Sequence, residues 1–458
     1  MIHRKIKFDD LPTNSFHRRI AFLAAGGPFC DGYLFGIIVV ALPFIAKNLV
    51  LSSVQVGLLG SASLIGMFIG GIVFGPMTDK FGRQSLYVLN LLTFLLGSLA
   101  FFLTKDFTSL FIVRLIMGVA LGADYPIATA LACEFLPKKL RGPILSSLMV
   151  CFWIGFTVSL AVGFFVPAND SSVWHIILAS SAIPSAIFLV LRFNVPESPR
   201  WLLSVGKVEE ARAVVMKYLG ENCDFDSLKR ETPLATKRRG LGLSSIRELF
   251  AQGYGRPLLF CGVFWTCQIA PSLAIKTFQP MLLQTFGVTQ ALQGTLVIIS
   301  FAVLGTIVGM LVINRIGRRS LLLWSYVLST AVLFLLATPA SNIAWAAILC
   351  FVAFTLAEAA GSALQFVYPN EVFPTEIRAT GMGLAMSLSR LGSAAATFLM
   401  PVTLESLGRS GGLAIAGAIS AVGLVVSYFM APETKGLTLS ESGRAQHNIG
   451  TAPIEKEA

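Results

Sequence analysis

Apolar residues in this chain gather into runs of about 20, the length that an α-helix needs to cross a lipid bilayer. Twelve such runs alternate with polar connections. The predicted spans begin near Ile20, Val54, Ser85, Ser109, Gly142 and Trp174 in the first half, and near Pro257, Gln290, Ser320, Asn342, Ala379 and Gly411 in the second. This pattern predicts an all-α membrane protein, because the strands of an outer-membrane barrel alternate in polarity over segments of about ten residues.

Composition leads to the same class. Of the 458 residues, 55% are hydrophobic and 13% are charged, whereas soluble domains carry roughly 25% charged residues. The mean hydropathy of +0.75 excludes a disordered chain. The net charge of +11 comes from basic residues scattered over short connections, so we expect contact with a lipid bilayer and no nucleic-acid partner.

The basic residues also predict an orientation. Of the 35 Lys and Arg residues, 29 fall on the side that carries both termini, with the linker counted from Arg192 to Arg256. Only Lys47, Lys105 and Arg409 fall on the opposite side. Cytoplasmic connections carry the excess of Lys and Arg, so we expect both termini in the cytoplasm.

Polar residues at span ends divide the chain into two similar halves. The matched pairs, 235 to 237 residues apart, are Asp79 and Asn314, Gly82 and Gly317, Arg83 and Arg318, Glu134 and Glu371, Arg141 and Arg378, and Glu197 and Glu433. All pairs fall on one predicted side, so the halves are parallel repeats. The predicted division is a tail 1–19, a six-helix bundle 20–194, a linker 195–256 with short helices, a second six-helix bundle 257–431 and a tail 432–458. Two such bundles are typical of alternating-access transporters with a site between them.

Four short stretches resemble known signatures. The stretch 75–83 (GPMTDKFGR) resembles the signature between spans two and three of the major facilitator superfamily. The stretches 134–142 (EFLPKKLRG), 196–200 (PESPR) and 432–436 (PETKG) resemble signatures of its sugar-porter-like branch. The resemblance covers nearly the whole chain and implies two six-helix bundles.

The resemblance further implies that charged residues at these positions latch the two bundles together on the cytoplasmic side in the outward-facing state. The predicted latch consists of Gly75, Asp79, Gly82, Arg83, Glu134, Arg141, Glu197, Arg200, Asn314, Arg318, Glu371, Arg378 and Glu433. Alternatively, they are topology signals or surface ion pairs, each contributing about 0–1 kcal/mol. Asn314 stands in place of an acid and Gln84 in place of a second base, so we expect the second-half latch to be the weaker one.

Six ionisable residues fall inside the predicted spans. They are Asp31, Arg114, Asp124, Lys276, Glu358 and Arg390. Each costs at least about 2.5 kcal/mol at the centre of a transmembrane helix, so each requires a partner or a water-filled cavity. The first half holds two acids and one base, and the second half holds one acid and two bases.

Asp31 and Arg114 are the first candidates for proton coupling. Asp31 lies in the stretch 26–33 (GGPFCDGY), where glycines and a proline loosen the first span. The stretch 114–122 (RLIMGVALG) resembles the fourth-span signature of proton-coupled members of the superfamily. That resemblance implies that Arg114 and an acid of span one pair and separate as the acid gains and loses a proton. The alternative is a fixed ion pair or a packing role without titration.

Asp124 is the third candidate for proton coupling. It follows Arg114 by ten residues, about 15 Å along a helix, and Pro126 leaves a nearby carbonyl without its donor. The stretch 122–126 (GADYP) resembles a motif of proton-coupled phosphate transporters, and 31–33 (DGY) resembles aromatic-acid symporters, although neither full pattern is present. Asp124 either binds a proton or a substrate hydroxyl, or it caps local backbone.

The seventh span bears on the substrate. In sugar porters this stretch carries paired glutamines, an asparagine and paired tyrosines, but here 267–280 (CQIAPSLAIKTFQP) keeps one glutamine. A hexose is therefore disfavoured. The predicted substrate-binding residues are Trp153, Gln268, Lys276, Glu358 and Arg390. Surplus positive charge in the second half suits a carboxylate, unless Lys276 snorkels to the surface and Arg390 pairs with Glu358.

No phosphate-binding loop or cluster of metal-ligating histidines is evident in the sequence. We therefore expect a transporter and not an enzyme: it has no catalytic residues, no metal and no cofactor, with the proton as coupling ion. The interpretation is a monomeric symporter that imports a small polar organic metabolite, such as a sugar, sugar acid or other carboxylate, across a bacterial inner membrane. The alternatives are a facilitative uniporter or exporter of the same fold, a phosphate or other anion symporter, and a transporter-like nutrient sensor.

Overall fold

The computed structural model describes residues 6–166, 172–193, 195–220, 222–232, 253–339, 343–373 and 378–435. These residues are almost entirely helical, and eleven helices among them are long and apolar enough to cross a membrane. The last of these, α17, contains two spans, as shown below. Each predicted span begins within five residues of a helix start or interruption in the structure.

The first half of the chain forms seven helices. They are α1 (Ser15–Asn48), α2 (Ser53–Phe81), α3 (Arg83–Ala100), α4 (Phe107–Phe135), α5 (Lys138–Phe165), α6 (Val173–Ala179) and α7 (Ala182–Arg192). Asn14 starts α1 by accepting a hydrogen bond from the backbone of His17, and Ser52 starts α2 in the same way through Gln55. Helices α6 and α7 are separated by one turn and together make a single span.

Three short helices follow in the part of the linker that the structure describes. They are α8 (Pro199–Ser204), α9 (Val208–Tyr218) and α10 (Phe225–Glu231). Their apolar faces form a small separate core with Phe8 from the N-terminal segment. Backbone hydrogen bonds join Ile6 to Asn222 and Asp224, and Arg200 pairs with Asp9 at 2.7 Å. The N-terminal segment is thus attached to the linker.

The second half repeats the arrangement of the first. Its helices are α11 (Gly255–Thr277), α12 (Gln279–Thr285), α13 (Ala291–Ile316), α14 (Arg318–Ala337), α15 (Ala344–Ser362), α16 (Leu364–Val372) and α17 (Arg378–Met430). Gly408 interrupts α17 with φ 67° and ψ −179°, a conformation that glycine adopts readily. Helix α17 therefore contains both the eleventh and the twelfth span.

Packing follows the internal repeat. Helix α2 packs on α4 in the first half, as α13 packs on α15 in the second. Both pairs approach through glycine: a Cβ on Gly70 would lie 2.0 Å from the carbonyl oxygen of Val119, and one on Gly309 would lie 2.2 Å from that of Ala360. The sequence repeat therefore extends to backbone contacts.

The halves meet through α2 against α17 and α5 against α13. We call the end of the molecule where α1 ends and α2 begins the far end, and the opposite end, where α1 begins and α17 ends, the terminal end. Near the far end, Ser53 donates to Glu405, and a Cβ on Gly57 would lie 2.2 Å from the carbonyl oxygen of Phe398. These contacts close the halves against each other toward the far end.

Candidate functional site

Five of the six ionisable residues predicted inside the spans are buried within the helical bundle. Asp31, Arg114, Asp124, Lys276 and Glu358 are each at most 6% exposed, and Arg390 is half-buried. Arg192, which the sequence placed with the linker, ends α7 and is completely buried. The charge tally counted it with the basic linker, but its side chain is buried in the bundle, in agreement with the predicted bundle range 20–194.

Asp124 lies on α4 in contact with α1 and α3. Its Oδ1 accepts a hydrogen bond of 2.7 Å from Asn90 Nδ2, and its Oδ2 has no hydrogen-bond partner among the described residues. A Cβ on Gly27 would lie 2.0 Å from that Oδ2. The carboxylate therefore contacts the backbone of α1 where only a glycine leaves room.

Arg192 is held over the ring of Tyr87, with its guanidinium carbon 3.2 Å from the ring centroid. Its Nη2 donates to the carbonyl oxygen of Leu23 on α1, and Gln84 donates to the carbonyl oxygen of Arg192 at 2.7 Å. Arg192 also interacts electrostatically with Asp124. This one side chain connects α7 to α1, α3 and the acid of α4.

Asp31 lies on α1, three residues after Pro28, the first of two prolines inside that helix. Its Oδ1 is buried without a hydrogen-bond partner in the described part of the chain. Asp31 interacts electrostatically with Asp124 in its own half and with Arg390 in the other half. A carboxylate of the first half and a base of the second therefore attract each other across the interface.

The structure does not bring Arg114 and Asp31 together as an ion pair. Arg114 Nε donates to the carbonyl oxygen of Leu59 on α2 at 3.1 Å, and Ser63 donates to the backbone of Arg114 at 3.4 Å. Within the described residues, no carboxylate forms an ion pair with this guanidinium. Sequence analysis identified both residues as buried charges. It could not predict how α1 and α4 are rotated about their axes, and this rotation decides whether the two side chains meet.

Lys276 and Glu358 form an ion pair in the second half. Lys276 Nζ lies 2.5 Å from Glu358 Oε2 and donates to Ser272 Oγ at 2.6 Å. Trp153 of the first half covers the ammonium group, which lies 4.2 Å from the ring centroid. Snorkelling of Lys276 to the surface was therefore wrong as an alternative, since Lys276 is 1% exposed. Glu358 is paired with Lys276, and pairing of Arg390 with Glu358 stays a prediction.

Gln268 lies on the face of α11 that carries Ser272 and Lys276, at successive intervals of four residues. Its Oε1 accepts a hydrogen bond of 3.0 Å from Gln365 on α16. Its Nε2 is buried with no partner among the described residues, and so is Trp153 Nε1. Donors without acceptors are costly in an apolar interior, so this region favours a solute that supplies acceptor oxygens.

The motif residues at the terminal end interact within the first half. Arg83 pairs with Glu134 at 3.2 Å. Glu197 accepts backbone N–H donors from Arg83, Gln84 and Ser198 at 2.9 to 3.1 Å. Burial raises the pKa of Glu197, and these three donors oppose that shift. The carboxylate thereby fixes the start of α3 to the segment after α7.

The second half repeats the main contacts of this arrangement. Arg318 pairs with Glu371 at 3.1 Å, and its Nη1 donates a hydrogen bond of 3.3 Å to Oδ1 of Asn314 at the end of α13. Glu433 accepts from the backbone of Arg318, Arg319 and Lys435 at 3.0 to 3.1 Å. These bonds lie within one half, so in this conformation they brace each bundle; their role as a latch between bundles stays a prediction.

The remaining members of the predicted latch are placed as follows. Arg200 pairs with Asp9 of the N-terminal segment, not with a bundle helix. Gly75, Asp79, Arg141 and Arg378 lie outside the side chains that the structure describes.

The turns that precede α3 and α14 give a prediction. Gly82 and Gly317 have φ of 95° and 92°, and a Cβ on either would lie within 2.5 Å of the glutamate carboxylate that braces the turn. We expect Gly82→Ala and Gly317→Ala to destabilise the protein by more than the roughly 1–2 kcal/mol of a left-handed alanine. Thermal unfolding of the purified protein measures this.

Gly408→Ala is the matched control, because Gly408 also has positive φ but its Cβ would meet nothing within 4 Å. If all three variants lose the same stability, the glutamate contacts add nothing beyond backbone strain.

Comparison with known proteins assigns this arrangement to a family. Residues 20–445 match the model of the sugar (and other) transporter family. The chain belongs to this family. It is 36% identical to the putative metabolite transport protein YaaU of Escherichia coli, covering 95% of this chain and 96% of that protein. It is 34% identical to the inner membrane metabolite transport protein YgcS of the same organism, covering 98% and 97%.

A solved structure confirms the fold of this family member. The major facilitator superfamily proton:xylose symporter XylE, bound to 6-bromo-6-deoxy-D-glucose, matches with a TM-score of 0.75 and 22% identity over 94% of this chain and 99% of that one. The major facilitator fold has twelve helices in two bundles, as the sequence predicted. The protein is a multi-pass membrane transporter for small molecules, and not an enzyme.

Four residues of the site were missed by sequence analysis. They are Tyr87, Asn90, Arg192 and Gln365. The signal for two of them was present, because Asn90 and Gln365 are amides inside or beside apolar runs, where an unpaired amide is costly.

Proposed function

We propose that this transporter carries a small polar organic metabolite inward together with a proton by alternating access. Asp31 carries the proposal: it is a buried carboxylate with an unpartnered oxygen, and it interacts electrostatically with Arg390 of the opposite half. Protonation removes the charge of Asp31, and with it an attraction between the two halves. XylE, a relative in fold, is a proton:xylose symporter, which supports the same coupling here.

The solute class is a sugar acid or another carboxylate in preference to a neutral sugar. Lys276 is neutralised by Glu358, Asp31 interacts with Arg390, and Arg192 interacts with Asp124. Arg114 is left without a carboxylate among the described residues, although a buried guanidinium in a bilayer calls for one. We assign solute contacts to Trp153, Gln268, Lys276, Glu358 and Arg390, with Arg114 favouring negative charge.

The proposed setting is a bacterial inner membrane with both termini in the cytoplasm. The excess of Lys and Arg on the terminal side supports this orientation, and the relative YgcS is an inner membrane protein. In this proposal the protein acts as a monomer and needs no cofactor or metal, since the proton is the coupling ion.

The test is external alkalinisation when candidate solutes are added to de-energised cells that express the protein. The panel pairs each neutral sugar with its sugar acid and includes phosphate. We expect a carboxylate to alkalinise the medium with the wild type and not with Asp31→Asn, because an amide cannot take up the proton. Radiolabelled uptake measured in parallel reports flux without coupling.

Asp106→Asn is the matched control, because Asp106 is an exposed acid that caps the start of α4. Its alkalinisation should equal that of the wild type. Flux without alkalinisation that survives Asp31→Asn would replace symport with a facilitative uniporter or exporter. Alkalinisation by phosphate alone would favour an anion symporter.

A further inference from the structure

We infer that Arg192 is the counter-ion of Asp124 and the residue that positions and tunes this acid for proton exchange. The inference rests on the proposed proton coupling and adds a second proton site to it. Asp124 and Arg192 are both 0% exposed, and they interact electrostatically. They come from α4 and α7, which are separate spans of the first half.

Unsatisfied atoms on both residues point to this pairing. Asp124 Oδ2 and Arg192 Nε and Nη1 are all buried without a partner among the described residues. A buried carboxylate and a buried guanidinium each cost several kcal/mol when isolated, and each is tolerated only near the opposite charge. Asn90 holds Oδ1, so the free oxygen Oδ2 is the atom that can take up a proton.

The fold keeps the two charges close without a direct hydrogen bond. The guanidinium carbon of Arg192 lies 3.2 Å from the ring centroid of Tyr87. Its Nη2 donates a hydrogen bond to the carbonyl oxygen of Leu23. Gly27 leaves the space in which Oδ2 lies. Tyr87 therefore contacts both sites: its ring lies against the guanidinium, and its hydroxyl lies beside the same Gly27 position as Asp124 Oδ2. Oδ2 has no hydrogen-bond partner among the described residues, so it is open to a proton.

Arg192 also connects the acid to the motif at the terminal end. Gln84 donates through its side chain to the backbone of Arg192 and through its backbone to Glu197. When a proton binds Oδ2, the carboxylate becomes a neutral carboxyl and its attraction for Arg192 falls. The bracing of α3 against α7 then changes with the protonation of Asp124, and release of the proton restores it.

Among the described residues, the titratable and amide groups that interact with Asp124 come from α1, α3 and α7. They are Cys30 and Asp31 of α1, Tyr87 and Asn90 of α3, and Arg192 of α7. Arg192 is the one base among them, whereas Arg114 lies on the same helix as Asp124 but contacts α2. Removing Arg192 should therefore alter the titration of Asp124, and removing Arg114 should not.

The experiment is a pH titration of the full-length protein in lipid vesicles, followed by the infrared carbonyl stretch of protonated carboxylic acids. Asp124→Asn and Asp31→Asn assign the bands. Loss of a cation beside a carboxylate favours the protonated form, so we expect Arg192→Gln to move the Asp124 midpoint to higher pH by about one unit or more. Arg192→Lys keeps the positive charge, so its Asp124 midpoint should lie close to that of the wild type.

Arg114→Gln is the matched control and should leave the Asp124 midpoint in place. A shift with Arg114→Gln and none with Arg192→Gln would overturn the inference, as would a titration with no band that Asp124→Asn removes. The titration needs no solute, so its failure is distinguishable from failure of the alkalinisation assay.

Stability provides a second test that holds even if Arg192→Gln inserts poorly. Asp124→Asn leaves Arg192 uncompensated, so we expect Asp124→Asn with Arg192→Gln to unfold at a higher temperature than Asp124→Asn alone. Additive losses in the double variant would show that the two residues do not interact, and would contradict the pairing.

Discussion

Replacing Gly57 by tryptophan is expected to abolish transport by holding the far end open. A Cβ at this position would lie 2.2 Å from the carbonyl oxygen of Phe398 across the interface between the halves, so any side chain must separate α2 from α17. Overpacking costs typically about 1–3 kcal/mol, which lowers the population closed at the far end roughly 5- to 150-fold. The contact lies between the halves, so we expect the packing inside each half to survive.

The measurement is the reaction of a membrane-impermeant maleimide with a cysteine placed at Thr397, which is buried near Gly60 on the interface. Labelling from the side opposite the termini should rise in Gly57→Trp. Gly71→Trp is the matched control on the same helix, because a Cβ on Gly71 meets nothing within 4 Å. Equal labelling in the two variants would mean that the contact at Gly57 does not close the far end.

This closure matters because the contacts described at the two ends differ in kind: those toward the far end join the two halves, and those of the motif residues at the terminal end lie within one half. Toward the far end, the halves meet through backbone at Gly57 and through Trp153 over Lys276. At the terminal end, Glu197 and Glu433 each bind backbone N–H groups of their own half. Each half is therefore braced internally, as rigid-body rocking about a site at mid-depth requires.

The spans and the repeat could be predicted because both follow from simple constraints. A bilayer sets the length of an apolar helix, so even Gly408, where one span ends and the next begins, lies close to the predicted start of the twelfth span. The spacing of Arg83, Glu134 and Glu197 recurred in the second half, and the structure repeats their bonds there. Repeated spacing implies repeated geometry.

The partners of buried charges could not be predicted, because they depend on helix rotation. Arg192 follows an apolar run and precedes a basic linker. A surface-exposed arginine that sets membrane orientation occurs in the same sequence context, so the sequence does not distinguish it from a buried one. Its position over Tyr87 is decided by the turn of α7 against α3. For the same reason the sequence paired Arg114 with Asp31, whereas in the structure Arg114 donates to the backbone of α2 and Arg192 is the base that interacts electrostatically with Asp124.

Removing one partner of the Lys276–Glu358 pair should destabilise the protein most among single substitutions of its charged residues. Both side chains are at most 5% exposed, so Glu358→Gln leaves an ammonium group in an apolar interior. Breaking a buried pair in this way costs about 3–5 kcal/mol, whereas replacing both partners by neutral residues of similar size is often tolerated. We therefore expect the thermal midpoint of Glu358→Gln to fall sharply and that of Lys276→Met with Glu358→Gln to recover.

The exposed pair of Lys207 and Glu210, at 3.0 Å, supplies the control. Glu210→Gln should change stability little, because surface pairs contribute about 0–1 kcal/mol. The recovered double variant then separates structure from function: if Lys276 contacts the solute, the variant folds but does not alkalinise the medium. If the double variant transports normally, the pair has a structural role only, and the proposal that Lys276 and Glu358 contact the solute is wrong.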